Sequence, residues 1–271
     1  MNCKTIETAN ASFNVVDQGE GSPILFVHGF PLDHSMWRFQ IETFSKTNRV
    51  ICPDLPGFGK SHLKSDSEMS LELLGNSLAE LLTELQINEP LVFCGLSMGG
   101  YVGWQFWKNH SRLLCGMVAC NTRAANDTEQ VARGRQIGAE SVRKTGAAPI
   151  ADALIPKLFY QPESDKIKLV AAEVRQVICK TDRESIASGQ IAMSQREDST
   201  PWLDRIELPV LFIAGQHDPI TPSSEMRENA RLVPKSCIRE ITNAGHMTPL
   251  EQPDEFNDAL REYLDQISTN R

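Results

Sequence analysis

Leu91-Val92-Phe93-Cys94-Gly95-Leu96-Ser97-Met98-Gly99-Gly100 is the stretch that decides the fold. An apolar run suited to a buried strand enters G-x-S-x-G, and the aromatic segment Tyr101 to Trp107 continues as a helix. A serine on a sharp strand-to-helix turn sits in strained backbone, and neighbours without Cβ atoms let strand and helix approach. The turn leaves Ser97 Oγ exposed at a helix N-terminus, where the dipole favours developing negative charge. The plain alternative is a glycine-rich turn with an idle serine. The placement between strand and helix favours a nucleophile.

Working outward, other short apolar runs (Ile24 to Val27, Val50 to Cys52, Met117 to Cys120, Val210 to Ala214) alternate with helical periodicity. Uninterrupted apolar strands suit a sheet buried on both faces, and alternation with helices implies parallel, right-handed crossovers. One such helix starts after Ser70 as N-cap, with apolar positions 71, 74, 78, 81, 82 and 85. Ala11 to Val16 reads as a half-buried strand, and the charged run Ser65-Asp66-Ser67-Glu68 as a solvated loop. The rhythm breaks from about Thr122 to Thr200. There, amphipathic segments (Asp127 to Lys144, Ser164 to Lys180, Asp182 to Ser194) are punctuated by Pro149, Pro156 and Pro162. A structureless loop of that length is improbable. The expected organisation is an α/β core over residues 1–121 and 201–271 with an all-helical cap over 122–200.

Composition agrees with one large domain carrying an insertion: 271 residues, 41% hydrophobic. Asp+Glu 35 against Lys+Arg 27 gives a formal charge of −8, which repels phosphate backbones and argues against nucleic acid as a partner. No apolar run reaches the ~20 residues of a membrane span, and Met1 to Thr8 shows no signal-peptide pattern. Seven cysteines without a CxxC pair read as reduced, mostly buried thiols in a cytoplasmic protein, with no metal cluster.

A nucleophilic serine needs a base. His28 belongs to the loop after the first buried strand, His34 and His62 to other loops, and His110 follows an aromatic helix. His246, in Asn243-Ala244-Gly245-His246, lies beyond the carboxyl end of the late strand Ile238 to Ile241, where ligands gather in open α/β sheets. Asp218 follows Val210 to Ala214 in the equivalent place, with His217 as a neighbour shaping that loop. The order Ser97, Asp218, His246 is the one a nucleophile elbow on this scaffold requires. In Val27-His28-Gly29-Phe30-Pro31 the Phe30 N–H is one candidate oxyanion donor, and the Met98 N–H is the other. Trp37 and His34 are candidates for lining a substrate pocket, although Trp37 is equally compatible with core packing. Asp17, Asp33 and Asp54 read as turn or loop residues.

HGFPLDHSMW (28–37), PDLPGFGKS (53–61), GLSMGG (95–100), AGQHDPITP (214–222) and NAGHMTPLEQP (243–253) together resemble the α/β-hydrolase superfamily over nearly the whole chain. The match is to its capped branch, near 3-oxoadipate enol-lactonases and related carboxylesterases. The resemblance implies an α/β-hydrolase fold with a mostly parallel central sheet flanked by helices. It also implies a serine hydrolase of small carboxylic esters or lactones working through an acyl-enzyme, with water as co-substrate and no metal or organic cofactor. Similar sequences act as cofactor-free perhydrolases or C–C bond hydrolases, and a non-catalytic binding relative is a third alternative. Haloalkane dehalogenases and related epoxide hydrolases need a carboxylate at the elbow, where this chain has Ser97. Asn121 likewise removes the alternative position for the acid.

Overall fold

The computed structural model describes residues 2–64 and 68–269, so Ser65-Asp66-Ser67 of the expected solvated loop lie outside the described residues. The chain opens with β1 (Cys3–Glu7), β2 (Ala11–Gln18) and β3 (Pro23–Val27). Next come α1 (Arg38–Phe44), β4 (Arg49–Pro53), the two-residue β5 (His62–Leu63) and α2 (Leu71–Glu84). β6 (Leu91–Leu96), α3 (Met98–His110) and β7 (Leu114–Cys120) complete the first part.

Strand order is β1-β2-β4-β3-β6-β7-β8-β9, with β5 paired to β2, where β8 is Val210–Gly215 and β9 is Ser236–Ile241. From β4 through β9 every pairing is parallel, whereas β2 runs antiparallel to its neighbours β1, β4 and β5. β6 shows why the strands read as unbroken apolar runs. Leu91 and Phe93 join the core on one face, and Val92 and Cys94 join the core on the other. The first face is covered by α2, α3 and α8 (Ser223–Leu232), which contribute Leu74, Leu78, Trp104, Phe106 and Met226. The second is covered by α1 and α10 (Pro253–Thr269), with Ile41, Phe256 and Leu260. α2 starts where its sequence says: Ser70 Oγ accepts from the Leu73 amide at 3.1 Å, satisfying one unpaired donor of the first turn.

Between β7 and β8 lie four α-helices: α4 (Glu129–Thr145), α5 (Ala148–Leu158), α6 (Lys168–Lys180) and α7 (Arg183–Ser194). Three of them coincide with the amphipathic segments. α5 was hidden by its prolines, but Pro149 sits in the first turn, where its missing N–H costs nothing, and Pro156 lies near the end. The two stems of the insertion are tied together at Arg196. Its side chain is 3% exposed and pairs with Asp127 at 2.7 Å, donates to the Ala125 carbonyl at 2.9 Å and lies over the Tyr101 ring of α3.

The cysteines depart from expectation. Cys52, Cys94 and Cys120 are buried, but Cys3 and Cys237 are exposed and Cys115 and Cys179 partly so, and none of the seven is in a disulfide among the described residues. The exposed pair lies on β1 and β9, the outermost strands, which have a neighbour on one side only. Among the described residues no helix is long and apolar enough to cross a membrane.

Candidate active site

Ser97 stands between the last residue of β6 and the first of α3, with φ +54° and ψ −114°. That left-handed φ is the strain expected of a sharp strand-to-helix turn. Packing dictates the flanking glycines. A Cβ on Gly95 would fall on the Gly99 carbonyl, and one on Gly99 would fall on the Val27 carbonyl. The turn is anchored to β7 on its other side. Ser97 N donates to the Cys120 carbonyl at 2.9 Å, and Thr122 Oγ1 donates to the Ser97 carbonyl at 2.8 Å.

The segment after β3 lies against this turn. A Cβ on Gly29 would stand 3.5 Å from Ser97 Cβ, so the backbone at 28–30 runs beside the serine. His28 holds that segment in shape: its Nε2 accepts from Leu55 N at 2.8 Å, which leaves Nδ1 to donate to the Gly29 carbonyl at 2.9 Å. Full burial lowers its pKa, so His28 is a neutral structural group. Phe30 is half-buried, packs edge-on to Phe58 and would collide with a Cβ on Gly189 of α7, so the insertion closes over it. Met98, at the first position of α3, has an amide with no carbonyl one turn earlier in its helix.

Asp218 and His246 follow β8 and β9. Their rings and carboxylates meet: His246 Nδ1 is 2.7 Å from Asp218 Oδ2, and both residues are buried. The Asp218 carboxylate is saturated with donors. Oδ1 accepts from Ile220 N at 2.8 Å and Thr221 N at 3.1 Å, and Oδ2 also accepts from Thr221 Oγ1 at 2.6 Å and Asn121 Nδ2 at 2.9 Å. Burial opposes its ionisation, but the charge and hydrogen bond of His246 and the Thr221 and Asn121 donors outweigh it and hold the carboxyl at about 2. Asn121, the residue after β7, therefore links the loops that carry Asp218 and His246, its Nδ2 donating also to the Gly245 carbonyl. Its own Oδ1 accepts from Thr248 Oγ1 at 2.8 Å. Sequence reasoning saw Asn121 only as a residue that is not an acid, and it missed Thr221.

It also missed Glu251 in α9 (Thr248–Glu251), a carboxylate with no exposed surface. Oε1 accepts from Gly245 N at 2.9 Å and Met247 N at 3.1 Å, and Oε2 accepts from Tyr160 N at 2.7 Å. Burial lifts its pKa to about 7 against the pull of those three amides. The amides of His246 and Met247 donate to the Leu158 carbonyl at 2.9 and 3.0 Å. The end of α5 is thereby fastened to the loop that carries His246. His217 is exposed and stacks on Tyr160 with ring centroids 3.9 Å apart.

Two expected pocket residues lie elsewhere. Trp37 is fully buried on the α10 side of the sheet, its ring 5.1 Å from Phe26 and 5.9 Å from Phe256, and is a core residue. His34 turns toward β4 and β1, where its ring lies between Asp54 and Cys3. Asp33, His34 and Asp54 also form the group of described residues whose potential metal-ligand atoms lie within 4.8 Å of one another. Asp54, expected as a plain loop residue, anchors its surroundings by accepting from His34 N, Asn14 Nδ2 and Lys60 N.

Comparison with known proteins gives a consistent result. A model of the alpha/beta hydrolase family matches residues 24–259. The chain is 28% identical to 3-oxoadipate enol-lactonase 2 of Acinetobacter baylyi, over 94% of this chain and 93% of that protein. Its structure is similar to that of a thermophilic esterase from Thermogutta terrifontis solved with malate bound. The TM-score is 0.94 and the identity 36%, over 98% of this chain and 99% of that one. The enol-lactonase from Burkholderia xenovorans LB400 superimposes with a TM-score of 0.89 at 28% identity, over 97% and 100% of the two chains.

Proposed function

The chain belongs to the alpha/beta hydrolase family, and from that premise we propose that it cleaves small carboxylic esters or lactones through an acyl-enzyme on Ser97. One observation carries the reading: the buried 2.7 Å contact between Asp218 and His246 at the carboxyl ends of β8 and β9. Ser97 closes β6 at the same end of the sheet. With the Nδ1 proton committed to Asp218, the His246 Nε2 lone pair is the base that takes the Ser97 Oγ proton. The same nitrogen then delivers it to the leaving alcohol. Asp218 fixes the tautomer and stabilises the imidazolium.

The Phe30 and Met98 amides hold the oxyanion; a donor of this kind is worth about 3–4 kcal/mol. Water then deacylates the serine. The four-helix insertion acts as the cap, its α7 pressed on Phe30 beside the serine turn. Every step uses groups of the chain and water, so no metal or organic cofactor enters the scheme. The relatives named above, an esterase and enol-lactonases, support the substrate class.

The test is a fluorophosphonate probe read by peptide mass spectrometry, with rates on p-nitrophenyl esters of increasing chain length and on an enol-lactone. One adduct at Ser97 is expected, and Ser97→Ala should lose on the order of 10⁶ in kcat. A folded Ser97→Ala within a few fold of the wild type would remove the proposal.

A further inference from the structure

A second nucleophile–base–acid row lies on the other flank of the sheet. Cys3 Sγ is 3.4 Å from His34 Nε2, and His34 Nδ1 is 2.6 Å from Asp54 Oδ1. Asp54 follows β4 and Cys3 begins β1, so β3, β4 and β2 separate the thiol from the serine turn after β6. We propose that Cys3, His34 and Asp54 form a base-assisted thiol site at which Cys3 exchanges with small disulfides.

The arrangement is built rather than incidental. The Asp54 side chain is 1% exposed. Its Oδ1 accepts from both the amide and the ring of His34, and its Oδ2 accepts from Asn14 Nδ2 at 2.8 Å and Lys60 N at 2.9 Å. The His34 backbone is fixed in turn by Asp33, whose carboxylate accepts from Ser35 N at 2.9 Å. An anion on Nδ1 places the ring proton there and turns the Nε2 lone pair to the thiol, the logic by which a third group orients a base toward its nucleophile. Burial weakens the imidazole as a base, but the Asp54 hydrogen bond and charge more than restore it and leave its pKa raised. Partial burial and the Asp54 charge raise the Cys3 pKa, so the sulfur rests as a thiol and needs that base to react. Access is open, because Cys3 is exposed on an outermost strand.

The reaction balances without another oxidant. The Cys3 thiol proton passes to His34 Nε2 as Sγ attacks one sulfur of R–S–S–R. A new S–S bond forms as the old one breaks, and the departing thiolate takes the proton from His34 to leave as R–SH. The products are a mixed disulfide on Cys3 and one free thiol.

Cys237 is a control in the same molecule: an exposed thiol on the opposite outermost strand, with Arg239 as its charged neighbour. The full chain is incubated with oxidised glutathione, and the adducts on Cys3 and Cys237 are timed by peptide mass spectrometry. Cys3 should react at least about tenfold faster, a conservative share of the effect of a positioned base. His34→Gln, confirmed folded by circular dichroism, should bring Cys3 down to the Cys237 rate. His34→Asn serves as a second variant should the first fail to fold. Equal rates at the two cysteines in the wild type, or an unchanged Cys3 rate in a folded His34 variant, would overturn the proposal. The second result would leave His34 a purely structural link between the loop and β1.

Discussion

Asp218→Asn is the substitution whose consequences the geometry fixes most fully. The carboxylate takes two backbone amides on Oδ1, and a hydroxyl, an amide and the His246 ring on Oδ2. An asparagine keeps its oxygen toward the two backbone amides, because the opposite orientation sets its NH₂ against both. The NH₂ then occupies the Oδ2 position and faces His246 Nδ1. The ring accommodates it by giving up its Nδ1 proton and carrying the proton on Nε2, where the lone pair for Ser97 is required. kcat should fall by about 10⁴, or roughly 5 kcal/mol of barrier.

Stability falls as well. A carboxyl held at about 2 against its ordinary 3.8 contributes at most about 2 kcal/mol to folding. Because that pKa is depressed, the contribution is present above the ordinary value and fades as pH falls through the native one. The gap between wild type and variant should be constant from pH 5 to 8 and close in more acid solution. Initial rates on p-nitrophenyl butyrate, with urea melts at neutral pH and again in acid below the ordinary carboxyl range, measure the two effects. A folded Asp218→Asn within tenfold of wild-type kcat would refute the assignment of the acid.

Glu251→Gln should leave one buried amide facing another donor and cost about 1–3 kcal/mol near pH 5. The wild-type carboxyl is raised from 4.5 to about 7, so its stabilisation is full at low pH and lost as pH rises through 7. Urea melts should therefore show the variant gaining on the wild type by on the order of 3 kcal/mol between pH 5 and 8; parallel curves would contradict it. Gly99→Ala drives a Cβ onto the Val27 carbonyl. It should cost about 1–3 kcal/mol in melts and a disproportionate share of esterase activity as the serine turn opens. Arg196→Met leaves buried Asp127 with Arg135 alone, and should cost on the order of 3 kcal/mol while raising hydrogen exchange in α4 and α7.

The parallel strands were legible because burial on two faces leaves no room for polar alternation, as Leu91 to Leu96 shows. β1 was not, because Cys3 to Glu7 is mostly exposed and mixes polar with apolar residues, and β5 has only two residues to offer. Ser97, Asp218 and His246 stand out in sequence because turn and strand-end signals surround each of them. Trp37 misled because closeness in sequence to Phe30 says nothing about which face of the sheet a turn addresses. Glu251 carries no signal of its own in the sequence, where it is one acidic residue beside Gln252 and Asp254. Its burial depends on three amides, those of Tyr160, Gly245 and Met247, which only the fold brings together.

That last arrangement limits how the insertion can be exchanged. Relatives of one fold invite chimaeras in which a whole cap is transplanted to carry a new substrate preference. Here the Leu158 carbonyl and the Tyr160 amide are structural parts of the histidine loop, although they belong to the insertion by sequence. A transplant cut at the ends of the helical segment would replace the backbone that holds the His246 loop. The exchangeable unit is therefore smaller than the insertion, and residues 158–160 belong with the recipient.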